Sequence, residues 1–291
     1  MLHQHSDSSL ALNLDSGHHL EIDSLISSPF SYSVISAYNN KLAEFPSLIT
    51  QCKSLKVLNL SCNELKSIPT DIASLCYLEM LDLGHNSINE VITEIGNLNK
   101  LQFLYLSDNG IKKLPESLSN LHDLLYFNAT DNQLKKLPDQ FSKLTNLKEL
   151  RLYNNQITDL TNSITQLSGV HEVYLMNNSV THIPDDILGL AAIRILDLNN
   201  NKIDNISSKI SSLKHLHTLN LRFNKLYSLP SSIGEIESLQ YLDLRANQLS
   251  NLPDSLVNIP KLMKLDLRWN NFSIEPAIVK ILRSRGCTVF I

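Results

Sequence analysis

Glu149 and Glu172 are two carboxylates 23 residues apart, the spacing at which much of this chain repeats itself. If repeats stack, equivalent residues become neighbours, and two adjacent carboxylates raise the proton affinity of one of them. Such a pair is what general acid–base hydrolysis needs, so Glu149 and Glu172 are the candidate catalytic residues. No nucleophile–base pair, Gly-rich phosphate loop or spaced metal set accompanies them, and two solvated acids are the plainer reading. His215-x-His217 straddles the start of a strand pattern, with His217 beside a core leucine, which disfavours a metal site. Cys62 stands just before its asparagine, with no motif around it that marks a reactive thiol. The expectation is a non-enzymatic chain with no cofactor and no metal.

Recognition is the stronger chemistry. Phe103, Tyr105, Tyr126, Arg151, Tyr153, Tyr174 and Met176 fall at a few repeated phases in neighbouring repeats. Tyr, Phe, Met and Arg are the types enriched at the energetic centres of protein interfaces. Further along, Arg222, Arg245 and Arg268 recur at one phase, beside Asp197, Asp243 and Asp266, with the only tryptophan, Trp269, next to the last arginine. This second set is either a self-satisfying salt-bridge ladder or the polar rim of a binding site. Interleaved carboxylates cancel the field that phosphate would require, so no nucleic acid is expected. The candidate partner-binding residues are therefore the central set with Glu149 and Glu172, plus Asp197, Arg222, Arg245, Arg268 and Trp269.

The elements that must position these residues follow from one column. Asparagine recurs as Asn40, Asn63, Asn86, Asn109, Asn132, Asn155, Asn178, Asn201, Asn224, Asn247 and Asn270 without an insertion or deletion. Around it runs LxxLxLxxNxL, clean at Leu55, Leu58, Leu60, Asn63 and Leu65. A fixed period of this length marks a solenoid. The first half of each repeat, such as Val57-Leu58-Asn59-Leu60-Ser61, alternates apolar and polar residues, as a strand with one buried face does. Asparagine then stands where the chain leaves the sheet, and its amide can both donate to and accept from stranded backbone groups. In the second half, Leu65, Ile68, Ile72, Leu75 and Leu78 suit a short helix or 3₁₀ turns. Proline opens that half at Pro46, Pro69, Pro115, Pro138, Pro184, Pro230 and Pro253, where its fixed φ starts a turn. Ile92, Thr161 and Ser207 interrupt the column, so those coils are expected to differ locally.

Residues 1–30 are Ser- and His-rich and read as a leader and degenerate cap, with Leu12 and Leu14 at strand phases and Gly17 in place of asparagine. About eleven repeats fill residues 31–275. Residues 276–291 read as a C-terminal helix–strand cap: Pro276 opens a helix to about Ser284, Gly286 closes it, and residues 287–291 add a strand.

These motifs resemble leucine-rich repeat proteins over roughly residues 30–291. The resemblance implies an α/β solenoid: a curved horseshoe with a parallel β-sheet on its concave side and short helices or 3₁₀ turns on its convex side. The 23-residue unit with LPxxIxxLxxL resembles the intracellular Ras-group class, and the C-terminal ending resembles bacterial, effector-type members. That likeness implies a monomer that binds a protein on the concave face, by blocking an enzyme or by scaffolding. Scaffolding in small-GTPase signalling is the alternative, and a hydrolase using Glu149 and Glu172 a remote one. A net charge of −4 gives no electrostatic footprint for an anionic membrane. No stretch approaches the roughly 18 apolar residues of a membrane span. Cys52, Cys62, Cys76 and Cys287 lie at unrelated phases and suggest a reducing compartment. The expected location is cytoplasmic, in a bacterial cytosol or a host cell.

Overall fold

The computed structural model describes residues 10–291, so the leader expected at the very N-terminus lies outside the described residues over 1–9. The chain forms two compact units, Met1–Asn132 and Gln133–Ile291.

In the first unit the strands Leu10–Asn13, Tyr32–Ser36, Val57–Asn59, Met80–Asp82, Phe103–Tyr105 and Tyr126–Asn128 pair in parallel in chain order. The register advances by one repeat per strand, as in Val57↔Met80 and Leu58↔Leu81. The middle residue of each three-residue strand (Leu58, Leu81, Leu104, Phe127) is buried, and the two flanking it point outward. In the second unit Glu149–Arg151, Glu172–Tyr174, Ile195–Asp197, Thr218–Asn220, Tyr241–Asp243, Lys264–Asp266 and Thr288–Phe290 pair in the same way. Each unit is thus a solenoid with a parallel sheet on one side and mainly 3₁₀ turns on the other.

The asparagine column holds the coils together. Asn63 Nδ2 donates to the carbonyls of Ala37, Leu60 and Ser61 at 2.9, 3.0 and 3.2 Å, and its Oδ1 accepts from Leu42 N at 3.1 Å. Asn224 repeats the pattern with Leu198, Leu221 and Arg222 as acceptors and Ile203 N as donor. One side chain therefore ties its own turn to the coil before it.

The proline column starts the 3₁₀ turns Ser47–Gln51, Thr70–Ser74, Glu116–Asn120, Asp185–Gly189, Ser231–Glu235 and Asp254–Asn258. Of the three interruptions, Ile92 changes nothing. It takes φ −75°, ψ 158°, close to the −75°, 150° of Pro69, and Thr93–Asn97 is an ordinary 3₁₀ turn. Thr161 does alter its coil, which has an α-helical turn at Asn162–Thr165. Ser207 keeps the 3₁₀ turn by accepting from Lys209 N at 3.0 Å. Just before it, Asn205–Ile206 pairs in parallel with His182–Ile183, a second small sheet. At the C-terminal end, Ala277–Ser284 is a helix burying Ile278, Val279 and Leu282. Gly286, at φ +87°, terminates it in the left-handed conformation that glycine adopts without a Cβ clash.

Candidate functional site

Outward strand positions carry the candidate residues, and each unit presents its own set. In the first unit Phe103 and Tyr126 are register partners on adjacent strands. The rings of Tyr105 and Tyr126 meet at a centroid distance of 4.9 Å and an interplanar angle of 37°. Phe103 is exposed, and both tyrosines are half-buried.

In the second unit Glu149 and Glu172 are register partners, as the repeat spacing requires. Each is engaged along its own strand. Arg151 Nε donates to Glu149 Oε1 at 2.5 Å, and Tyr174 OH donates to Glu172 Oε2 at 2.7 Å. The Arg151 guanidinium lies 5.2 Å from the Tyr174 ring centre, which links the two pairs. Burial raises the Tyr174 phenol, and its hydrogen bond to Glu172 and the Glu172 and Glu149 charges raise it further. Tyr174 therefore stays a neutral donor, and the cluster is a fixed polar network. Tyr153 and Met176 are half-buried beside it.

The arginine column is a ladder for two of its three members. Arg245 places Nε at 3.0 and 3.1 Å and NH2 at 2.6 Å from the Asp243 carboxylate, and Nε also lies 3.5 Å from Asp266. Arg268 grips Asp266 through Nε at 2.9 Å and NH2 at 2.7 Å. Asp266 is 1% exposed. Its burial works to raise the carboxyl, but the side-chain and backbone hydrogen bonds from Arg268 and the charges of Arg245 and Arg268 outweigh it, and the net shift is downward. Arg222 stands apart. It makes no ion pair among the described residues, and its Nε is buried without a partner.

Two structural roles at these phases escape a reading based on alternation alone. The acid or amide four residues before each asparagine often caps the backbone two residues on: Asp82 accepts from Gly84 N at 2.9 Å, and Asp197 from Asn199 N at 3.0 Å. Asp197 also takes the Asn199 amide at 3.0 Å and the Asn220 amide at 2.9 Å, so its carboxylate is committed to the coil. The residue just before each asparagine adopts positive φ, from Asn39 at 55° through Trp269 at 62°. For an L-residue this costs about 1–2 kcal/mol, least for Asn and Asp. Asn, Asp and His fill most of that column, which is the signal that could have located it. Phe223 and Trp269 occupy it as well, with ring centroids 6.2 Å apart. Phe223 is the residue the outward-face argument passes over.

His215 is exposed and His217 half-buried, and among the described residues no group of His, Cys, Asp and Glu is arranged to hold a metal ion. No described helix is long and apolar enough to cross a membrane.

Comparison with known proteins accords with this geometry. A family model described as a leucine-rich repeat region matches residues 31–174 and 169–284. No curated protein sequence gives a match. A leucine-rich repeat protein of Leptospira interrogans is similar in structure, with a TM-score of 0.70 and 26% identity over 97% of this chain and 82% of its own. A plant peptide hormone receptor, RGFR1, solved in complex with RGF2, gives 0.69 and 25% identity over 82% of this chain and 44% of the receptor. The Drosophila Toll–Spatzle complex gives 0.81 at 24% identity, over 91% of this chain and 38% of the matched one, a likeness of fold. With the family model covering most of its length and the asparagine-anchored coil present throughout the described repeats, the chain belongs to the leucine-rich repeat family.

Proposed function

We propose that this chain is a non-enzymatic binding module that engages a partner protein through the outward positions of its strands. Phe103, Tyr105 and Tyr126 carry the contact in the first unit. Arg151, Tyr153, Tyr174 and Met176, with Glu149 and Glu172, carry it in the second. The observation behind this reading is that large amphipathic side chains stand half-buried on neighbouring strands and brace one another, as Tyr105 does Tyr126 and Arg151 does Tyr174. Side chains already held in place lose little entropy when a partner covers them. Both Glu149 and Glu172 have hydrogen-bonding neighbours that fix them as polar contacts, which favours recognition over acid–base chemistry. One similar structure, the RGFR1 receptor, was itself solved in complex with RGF2, and this adds support.

Binding on such a face acts by covering the partner's own surface, either to block it or to hold it beside another protein. Likeness to the Leptospira protein over nearly the whole chain supports a bacterial source, and in that setting the chain would serve as an effector or regulator. The unrelated repeat phases of Cys52, Cys62, Cys76 and Cys287 support a reducing compartment.

The test is affinity capture from lysate with the wild type and a Tyr105→Ala/Tyr153→Ala/Tyr174→Ala variant, read by mass spectrometry. A hot-spot tyrosine is worth about 2–4 kcal/mol, so the variant should lose the partner while keeping its circular dichroism spectrum. Equal capture by both proteins would exclude these strand faces as the binding surface.

A further inference from the structure

Along the second unit, the residue before each column asparagine changes character. Asn177 donates to Asn154 at 2.5 Å and Asn200 to Asn177 at 2.7 Å, so these three satisfy one another in a conformation that suits them. The next three are Phe223, Ala246 and Trp269, at φ 53°, 51° and 62°. Phe223 is 45% exposed and Trp269 65%. Neither backbone preference nor burial explains two bulky rings there, and strain retained at an exposed position points to function.

Alternate strands of a sheet are about 9.6 Å apart. Rings at 6.2 Å and 29° therefore lean toward one another across the small Ala246 and make a single aromatic platform. Arg222 lies 5.7 Å from the Phe223 ring centre, and Arg268 lies 5.8 Å from that of Trp269. Arg268 and Arg245 have Asp266 and Asp243 as anchors, whereas Arg222 has no acidic anchor among the described residues and Asp197 is taken by Asn199 and Asn220.

We propose that the Phe223–Trp269 platform and Arg222 form an anchor site for an extended segment of a protein, in which a bulky apolar or aromatic side chain adjoins an aspartate or glutamate. The apolar side chain packs on the rings, and the carboxylate pairs with the Arg222 guanidinium. Positive charge without an acidic partner beside an exposed apolar platform is what selects this chemistry. The proposal rests on the chain being a protein-binding module and adds a contact point separate from the tyrosine positions.

Trp269 is the only tryptophan, so intrinsic fluorescence reads the site directly. A displayed library of random peptides is selected on the full chain, and the enriched peptides are titrated while Trp269 emission is followed. The expected result is enrichment of an acid next to Phe, Trp or Leu, an emission shift on binding, and affinity at least tenfold weaker in Phe223→Asn and in Arg222→Gln. Phe223→Asn restores a residue type suited to positive φ, so its melting temperature should equal or exceed that of the wild type. A melting temperature clearly below wild type would assign the rings to folding and overturn the proposal. So would no enrichment, equal affinity in Phe223→Asn, or an emission shift produced by an oligothymidylate in place of the peptides. Peptides lost only in a Tyr153→Ala/Tyr174→Ala variant would overturn the rim site and leave the strand-face reading standing. Peptides unaffected by that variant but lost in Phe223→Asn establish the rim, whatever the lysate capture shows.

Discussion

Asp82 and Asp266 occupy the same phase of the repeat, one in each unit, and their carboxyls are pushed in opposite directions. Burial raises Asp82, and the hydrogen bonds it receives from Gly84 and Ser61 and the nearby His85 offset this only in part. Asp266 is almost completely buried and yet is held below the ordinary carboxylate range, because two arginines close on it. The coil places both side chains identically, and the residues of adjacent coils decide what each becomes. The column before the asparagines teaches the same lesson. In the first unit it reads Asn39, Cys62, His85, Asp108 and Asp131, mostly polar types that tolerate positive φ. In the second it ends in Phe223, Ala246 and Trp269. The repeat is a common frame carrying two different surfaces.

The largest expected effect tests the frame itself. Asn63→Ala and Asn224→Ala each strand a buried N–H and remove three donated bonds, and orphaned groups cost about 1–3 kcal/mol apiece. Each should lower stability by about 3 kcal/mol in urea unfolding. A difference of more than about 1 kcal/mol between them would break the common frame.

Asp266→Asn comes next, at about 1–2 kcal/mol lost at neutral pH. Because the folded carboxyl sits lower than the unfolded one, its stabilisation is present above the unfolded value of about 3.9. It disappears as pH falls through the folded value. Wild type and variant should therefore converge near pH 2, and an undiminished gap there would contradict the arginine clamp.

Asp82→Asn has the smallest effect and the opposite sign. A raised carboxyl contributes stability below the unfolded value of about 3.9 and loses it as pH rises through the folded one. Charged Asp82 is then a small cost at neutral pH. Asparagine, which can still cap Gly84 N, should leave stability equal or raise it by up to about 1 kcal/mol. A clear loss in thermal unfolding at pH 7 would mean that Asp82, like Asp266, has a stabilising cation.

Much of the frame was legible. The alternation around Leu58 and Leu60, the asparagine column and the helix between Pro276 and Gly286 all act locally, through side-chain period, amide chemistry and fixed φ. The interruptions were less so. Ile92, Thr161 and Ser207 look alike as missing prolines, but Ile92 reaches the proline conformation unaided and Ser207 compensates with a hydrogen bond, so only the Thr161 coil departs from the 3₁₀ turn. At the candidate surface the repeat phases were legible, and the pairing of side chains at those phases was not. Arg222, Arg245 and Arg268 share one phase, but two of them are clamped and one is not.

The sequence by itself determined the coil, because a period of 23 residues with inward leucines and an asparagine at each turn leaves the backbone one way to bury its apolar face and satisfy its polar groups. It also determined which phases face away from the leucine core, although adjacent coils still bury some of them, as they do Asp266. Only the tertiary structure decided how those outward residues pair. Glu149 went to Arg151, Glu172 to Tyr174, and Phe223 leaned toward Trp269 across Ala246. Such choices turn on contacts of a few ångströms between side chains and between coils, set by rotamer, burial and charge together, which residue type and spacing do not specify.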